Sequence, residues 1–306
     1  MFNKLHAAAR QVSQIVVGKD RQVRLALTCL LAGGHLLIDD VPGVGKTTLA
    51  HALALTLGLK FNRVQFTSDL LPADVAGISI YEREKNGFAF HPGPIFTQVL
   101  LADEINRATP KTQSGLLEAM EERQVTADGV TRLLPEPFFV IATQNPAHQV
   151  GTFPLPESQL DRFLMCLSLG YPDAAAERAL LMGEDRRAML KTLQPVMRPE
   201  ELMDAQAALR GIHASGALVD YLQALAQSSR SGQLFAEGLS PRATLALLQA
   251  ARAWAALEGR DHVIPEDIQA LLVPVCAHRL RPLKSAQGLA TASRDLVLQL
   301  QKSVPL

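Results

Sequence analysis

The sequence has no excess of charge of either sign. Its 30 lysines and arginines equal its 30 aspartates and glutamates, so the formal net charge is zero. A dedicated nucleic-acid-binding protein usually has a basic excess or a block of basic residues. Neither occurs here, and the balanced charge disfavours that class as the first hypothesis.

Cysteines and long apolar runs are also scarce. The three cysteines, Cys29, Cys166 and Cys276, are far apart and have no zinc-ligand spacing. This pattern predicts reduced, mostly buried thiols, as in a cytosolic protein. The N-terminus lacks the apolar core of a signal peptide, and the apolar run at 25–31 is too short to span a membrane. We therefore expect a soluble, cytoplasmic protein with no membrane insertion.

Short apolar runs alternate with segments of helical periodicity. The 306 residues are 48% hydrophobic and 20% charged, which is ordinary for one large globular domain or two modest ones. Helical spacing occurs within 1–32 and 46–57. Strands that are apolar on both faces are typical of a parallel sheet covered by helices. The predicted strands are 35–39, 63–66, 99–102, 138–142 and 164–169.

Two hairpins and one domain boundary complete the outline. Asn-Gly and Asp-Gly pairs favour tight hairpin turns, which predicts hairpins over 78–90 and 125–133. After Pro172 the sequence is rich in Ala and Leu and has no convincing strand. We therefore predict an α/β core at 1–172, with a parallel sheet and two inserted β-hairpins, followed by a small all-α domain at 173–306.

A phosphate-binding loop is the clearest motif. The strict pattern is Gly, four residues, then Gly-Lys-Ser/Thr; here Asp40 replaces the leading glycine. Glycines allow the tight turn that directs backbone N–H groups at an anion, and the following helix begins at the same place. A lysine can reach the β- and γ-phosphates, and a hydroxyl can bind Mg²⁺. The predicted nucleotide-binding residues are Pro42, Gly43, Val44, Gly45, Lys46, Thr47 and Thr48.

Polar residues end two of the other predicted strands. Asp103 and Glu104 end the strand at 99–102. Asp103 would help Thr47 to hold Mg²⁺, through a water molecule, and Glu104 would act as general base on the attacking water. Asn145 follows the strand at 138–142, at the edge of a parallel sheet where ligands bind. We therefore predict a nucleoside triphosphatase that uses Mg²⁺.

Two arginines are candidates for stabilising the transition state. Arg162 lies in QLDRF, and Arg242 lies at a predicted helix start in LSPRA. Guanidinium groups stabilise the charge that develops on phosphate oxygens. A single arginine is more often a surface or ion-pair residue, so neither residue carries the prediction alone.

Together these segments resemble the AAA+ ATPases and, within them, the MoxR family. The resemblance covers nearly the whole chain, and the Asp40 departure is usual for that family. Its most specific stretches are 39–47 (DDVPGVGKT), 65–74 (QFTSDLLPAD), 93–96 (GPIF), 103–107 (DEINR), 142–146 (ATQNP) and 240–243 (SPRA).

The resemblance implies ATP as the nucleotide, a nucleotide-binding core at 1–172 with a lid domain at 173–306, and roles for individual residues. Asn145 matches the sensor-1 position, and Arg242 matches sensor 2, which is carried on the lid and reaches the phosphates of its own subunit. Arg162 looks like the arginine finger that acts on the neighbouring subunit's nucleotide, with Arg107 as the alternative. Gly18 matches the segment that lines the adenine pocket. A finger that acts in trans implies a homo-oligomeric ring, expected to be a hexamer, with the hairpins directed at its pore.

Three biological roles are compatible with this resemblance. The first is chaperone-like remodelling, maturation or activation of a client protein complex, with a separate von Willebrand factor A domain protein as partner. The alternatives are the motor subunit of a metal chelatase and a DNA-acting motor. At the first hairpin tip Glu82 and Glu84 offset Arg83 and Lys85, and the second tip carries Asp128. This disfavours DNA, because loops that track phosphates carry an excess of Lys or Arg. The client, the ring size and the choice between Arg162 and Arg107 stay open.

Overall fold

The computed structural model describes residues 2–84, 86–145, 151–183, 185–283 and 291–305. Its strands are β1 (His35–Asp39), β2 (Phe61–Gln65), β3 (Gly77–Glu82), β4 (Gly87–Pro92), β5 (Val99–Asp103), β6 (Gln124–Ala127), β7 (Val130–Leu133), β8 (Phe139–Gln144), β9 (Phe163–Leu167), β10 (Phe235–Glu237) and β11 (Arg281–Pro282).

The helices begin at the second residue and dominate the C-terminal half. They are α1 (Phe2–Ile15), α2 (Asp20–Leu31), α3 (Lys46–Thr56), α4 (Pro72–Ala76), α5 (Pro110–Glu122), α6 (Glu157–Leu160), α7 (Ala174–Met182), α8 (Arg186–Thr192), α9 (Pro199–Ala208), α10 (Gly216–Ser229), α11 (Pro241–Leu257), α12 (Pro265–Cys276) and α13 (Thr291–Ser303). Two 3₁₀ turns occupy Ile105–Arg107 and Leu209–Gly211.

A five-stranded parallel sheet in the order β2-β5-β8-β1-β9 forms the centre of the fold. This confirms the predicted α/β class and each of the predicted strands within about two residues. The pairing register places Asp39 beside Gln144 and Gln65 beside Asp103. Polar residues of four strands therefore meet at one edge of the sheet, where ligands of open parallel sheets bind.

Both predicted hairpins form, as the antiparallel pairs β3-β4 and β6-β7. Asn86, Asp128 and Gly129 have positive φ angles of 48°, 53° and 73°, which a tight turn requires. Lys85 of the first predicted turn lies outside the described residues.

The C-terminal half is mainly helical, but the prediction that it has no strand is wrong. β10 and β11 form a short antiparallel pair. These strands have three and two residues, too few to produce an alternating pattern. Their pairing depends on the fold, because the completely buried Phe235 anchors β10 in the core.

One apolar core joins the helical half to one face of the sheet. It includes residues of α1, α2 and α3, of four sheet strands, and of α9 to α13. A second core, with α5 and the other sheet face, contains Phe66, Leu116 and Phe138. The domain boundary at 172 stays a prediction, since packing is continuous across it. No helix in the described part of the chain is long and apolar enough to cross a membrane.

His35 is a buried link between the sheet and α5. Its Nδ1 accepts a hydrogen bond from the backbone N–H of Val140 (2.9 Å), so Nε2 carries the proton and donates to the carbonyl of Met120 (3.1 Å). Burial lowers the pKa of His35 to about 4, because the charged ring would be desolvated.

We expect His35 to make the protein less stable in mild acid. Its folded pKa lies below its unfolded value of 6.5, so the stability that it contributes is present above pH 6.5 and is lost as pH falls towards 4. Relative to pH 7, the free energy of unfolding at pH 5 would be lower by about 2 kcal/mol. Urea unfolding at pH 7 and pH 5 measures it. A His35→Gln variant should be less stable at both pH values but lose about 2 kcal/mol less between them; an equal loss would contradict the assignment.

Candidate active site

A cavity of about 340 Å³ opens at the carboxyl edge of the sheet. It brings together residues from the phosphate loop, from the ends of β5 and β8, and from β2. The lining residues are Pro42, Gly43, Gly45, Lys46, Thr47, Thr48, Arg63, Asp103, Glu104 and Asn145. The phosphate loop and the residues that end β5 and β8, which the sequence predicts to form one site, therefore line the same cavity.

The phosphate loop has the backbone shape that its glycines predict. Gly43 and Gly45 have φ angles of 86° and 96°, a region that side-chain-bearing residues rarely adopt. Gly45 is also the N-cap of α3, which begins at Lys46. The free N–H groups of the first helical turn, with the positive end of the helix dipole, thus lie beside the cavity and favour an anion there.

Lys46 is held by three oxygen atoms. Its Nζ donates to the carbonyls of Asp40 (2.6 Å) and Gln144 (3.4 Å) and to Oδ1 of Asn145 (3.2 Å). Burial lowers the pKa of the Lys46 ammonium, and the nearby carboxylates of Asp40 and Asp103 act in the opposite direction. The ammonium is therefore positioned at the cavity by the same strand ends that supply the acidic residues.

The structure gives a physical reason for Asp40 in place of glycine. One carboxylate oxygen, Oδ2, accepts hydrogen bonds from the backbone N–H of Gly170 (2.6 Å) and the hydroxyl of Ser168 (3.0 Å). The other accepts from the N–H of Val41 (2.8 Å). Asp40 therefore fixes the start of the phosphate loop to the segment that follows β9, a contact that glycine cannot make.

Asp103 offers a carboxylate to the cavity in a nearly buried position. Its Oδ1 accepts from the hydroxyl of Thr143 (2.6 Å), and its Oδ2 accepts from Arg63. Thr47 lines the same cavity. A carboxylate and a hydroxyl are the hard oxygen donors that Mg²⁺ prefers, so these two side chains fit the predicted metal.

Glu104 lies at a strained turn directly after β5, where its φ is 55°. Its N–H donates to the hydroxyl oxygen of Thr143 (2.9 Å). Its carboxylate accepts from Nδ2 of Asn145 (3.2 Å) and pairs with Nε of Arg107 (2.7 Å). Asn145 thus contacts both Lys46 and Glu104, which fixes the orientation of its amide. Pro146, the next residue of the motif, lies outside the described residues.

Arg162 and Arg242 converge on one carboxylate away from the cavity. Nη2 of Arg162 lies 3.1 Å from Oε2 of Glu121, and Nη1 of Arg242 lies 3.2 Å from Oε1. Arg162 also donates to the carbonyl of Leu117 in α5 (2.5 Å). Arg242 lies in the first turn of α11, which Ser240 caps. Neither arginine is among the cavity-lining residues of the described chain, so their roles stay predictions.

Gly18 and Val44 also lie outside the cavity lining in the described residues. Gly18 has a φ of 73°, and a Cβ there would come within 2.5 Å of Cβ of Ala176 in α7. The next residue, Lys19, donates to the carbonyl of Tyr171 (2.7 Å). Gly18 is thus the point at which α7 packs against the N-terminal segment, and its adenine-pocket role stays a prediction.

Sequence reasoning missed two residues of the site, Arg63 and Thr143. Thr143 links Asp103 to Glu104, as described above. Arg63, in β2, contacts Asp103 through both Nε (3.1 Å) and Nη2 (2.7 Å). A charged residue in a predicted strand was the available signal, but its meaning depends on the pairing of β2 with β5, which only the structure shows.

Comparison with known proteins identifies the type of site. Residues 35–165 match the family described as ATPase family associated with various cellular activities (AAA), and residues 227–299 match the AAA lid domain. The chain is 40% identical to chaperone MoxR1 of Mycobacterium tuberculosis, over 90% of this chain and 75% of that protein.

Two further similarities extend over almost the whole chain. Identity to the uncharacterized protein YeaC of Bacillus subtilis is 44%, over 98% of this chain and 94% of that protein. The crystal structure of a "putative ATPase" from Cytophaga hutchinsonii superposes with a TM-score of 0.88 at 34% identity, covering 99% of this chain and 94% of that one. The predicted core and lid folds are therefore confirmed.

Proposed function

Given that this chain belongs to the MoxR family of AAA+ ATPases and is an ATP-hydrolysing enzyme, we propose that it acts in a ring of identical subunits and uses hydrolysis to remodel, mature or activate a partner protein complex. The observation that carries the catalytic half of this proposal is the single cavity shared by Lys46, Asp103, Glu104 and Asn145.

The loop side of the cavity binds the phosphates. Backbone N–H groups of the loop and of the first turn of α3 face the β- and γ-phosphates, and the Lys46 ammonium moves from its protein acceptors to phosphate oxygens. Thr47 and Asp103 would hold Mg²⁺, which neutralises charge on the phosphate oxygens when it is bound. The leading role of this side is to place and polarise the γ-phosphate.

The strand-end side of the cavity activates water. The Glu104 carboxylate takes the proton of the attacking water as general base. Asn145 holds that carboxylate through Nδ2 and touches Lys46 through Oδ1, so the amide couples the base to the phosphate-binding lysine. Arg107 pairs with Glu104 of its own chain, which favours a role in positioning the base and makes Arg162 the better candidate for the finger.

The two remaining arginines complete the site of a neighbouring subunit. Glu121 pairs with Arg162 and Arg242, and Asp161 pairs with Arg242 (3.9 Å) and Arg279 (2.7 Å), so two carboxylates face three guanidinium groups. Arg242 is 55% exposed and is therefore available to an anion on another molecule. This proposal replaces the role that the resemblance implies for Arg242, which is contact with the phosphates of its own subunit: we propose that Arg242 serves the neighbour's nucleotide beside Arg162. A head-to-tail contact of this kind closes into a ring, with six subunits proposed.

The hairpins favour a protein partner. Tyr81 and Phe88 stack edge-to-face at 5.5 Å between centroids, and Phe88 is 78% exposed. Leu133 on the second hairpin is also 78% exposed. Exposed apolar groups of this kind mark protein contacts, whereas DNA binding would need basic tips. We propose a cytoplasmic client complex, with a separate von Willebrand factor A domain protein as partner.

DNA and protein partners can be distinguished by two measurements. We expect double- or single-stranded DNA to change the ATPase rate by less than about twofold at low salt, where phosphate contacts are strongest. Affinity purification of a Glu104→Gln variant with ATP, compared with a Lys46→Ala variant, should enrich a von Willebrand-type protein with the first only. A several-fold stimulation by DNA would contradict the proposal, and enrichment of a chelatase subunit would favour the chelatase alternative.

A further inference from the structure

Arg63 is a cation within the nucleotide cavity that the proposed mechanism does not use. It lies in β2, next to β5 in the sheet, and both its Nε (3.1 Å) and Nη2 (2.7 Å) donate to Oδ2 of Asp103. Nη2 also contacts Oε1 of Gln65 (3.3 Å). The Arg63 side chain is 49% exposed, whereas that of Asp103 is only 10% exposed.

The hydrogen bonds of Asp103 leave little room for a further partner. Oδ1 accepts from Thr143 (2.6 Å), and Oδ2 accepts two bonds from Arg63. A divalent cation that uses this carboxylate must take the one remaining acceptor position, on Oδ1 beside the guanidinium, or displace Arg63 from Oδ2. Two positive groups on one carboxylate repel each other, and the low exposure of Asp103 reduces screening by solvent.

We propose that Arg63 competes with the divalent cation for Asp103 and so sets the Mg²⁺ concentration at which the site accepts metal-bound nucleotide. This inference rests on the proposed role of Asp103 in holding the metal. Arg63 acts through Asp103 and is therefore a positioning residue. Its side chain is half-exposed, so it can leave the carboxylate without disturbing the buried core.

A purely structural ion pair would have the opposite consequence. If Arg63 served only to orient Asp103, its removal would leave the carboxylate misplaced, and the site would need more Mg²⁺. If Arg63 competes with the metal, its removal lowers the Mg²⁺ requirement. The direction in which the Mg²⁺ requirement changes when Arg63 is removed therefore distinguishes the two roles.

The test is a Mg²⁺ titration of the binding of a fluorescent ADP analogue, which needs no turnover. In Arg63→Gln the Mg²⁺ concentration at half-maximal binding should fall by about threefold to tenfold, since the competing charge is removed. In Arg63→Lys the Mg²⁺ concentration at half-maximal binding should stay closer to the wild-type value, because lysine keeps the charge but cannot make both hydrogen bonds of the guanidinium. Arg294→Gln, an exposed arginine of α13 outside the cavity lining of the described chain, controls for the change in net charge.

Three results would contradict the inference or the assumption on which it rests. An unchanged or raised Mg²⁺ midpoint in Arg63→Gln, with a thermal unfolding curve like that of the wild type, would overturn the inference. An equal fall of the Mg²⁺ midpoint in Arg294→Gln would also overturn the inference, because the fall would then follow from net charge alone. Asp103→Asn tests the underlying assumption separately: if that variant keeps the wild-type Mg²⁺ dependence, the proposed metal role of Asp103 fails, whatever Arg63 does.

Discussion

Replacing Glu104 with glutamine is expected to lower kcat by about 10²- to 10⁴-fold while ATP binding is kept, because the amide cannot accept the proton of the attacking water. Glutamine has nearly the same shape and can keep a hydrogen bond to Asn145, so the cavity should be preserved. Steady-state phosphate release gives kcat, and equilibrium binding of a fluorescent ATP analogue gives the affinity.

Two matched variants make this result interpretable. Glu122→Gln removes an exposed carboxylate from the end of α5 and should leave kcat within about twofold of the wild type, as surface changes usually do. Lys46→Ala should lose nucleotide binding itself. If Glu104→Gln lost binding as well, Glu104 would be needed to hold Asn145 and Arg107 in place, and a normal kcat would rule it out as the base.

Replacing Arg162 with alanine is expected to lower kcat by about 10³-fold without preventing nucleotide binding, since guanidinium fingers contribute at this scale. The decisive measurement is a mixture with Glu104→Gln subunits. A finger from the Glu104→Gln subunit can complete the intact cavity of an Arg162→Ala subunit. In a random one-to-one ring about a quarter of the interfaces are then complete, which predicts rescue to roughly that fraction of wild-type activity.

The same mixing experiment decides where Arg242 acts. Because Arg242 shares Glu121 with Arg162, we expect Arg242→Ala to be rescued by Glu104→Gln subunits in the same way. Absence of rescue, with Arg162→Ala rescued in parallel, would return Arg242 to its own subunit's nucleotide. If neither variant is rescued, sharing of sites between subunits is contradicted, provided that the mixed subunits exchange.

The sequence predicted the sheet and one half of the site for the same physical reason. Buried parallel strands are apolar on both faces, so β1, β5 and β8 were visible as short runs. The residues that follow them had to lie at one sheet edge, which brought Asp103 and Asn145 to the loop of Lys46. The strand β10 was missed because three residues carry no periodicity and are held by burial of Phe235.

Contacts between distant segments were beyond the reach of local patterns. Nothing near Asp40 in the sequence indicates that its carboxylate accepts from residues 168 and 170. The resemblance made Asp40 usual at this position, but its physical reason depends on the fold. Arg63 was hidden for a related reason, since its significance depends on β2 pairing with β5. The position of Arg242 depends on how α11 packs relative to α5, which is a property of tertiary structure.

The hydrogen bonds of Asp40 also have a mechanical consequence. The loop that contacts the phosphates and the chain at 168–170 are joined by one carboxylate with contacts of 2.6 to 3.0 Å. That chain continues within a few residues into α7, where Ala176 packs tightly on Gly18. We therefore expect a displacement of the loop to reach α7, the first helix of the C-terminal half, through only the few residues between 170 and 174.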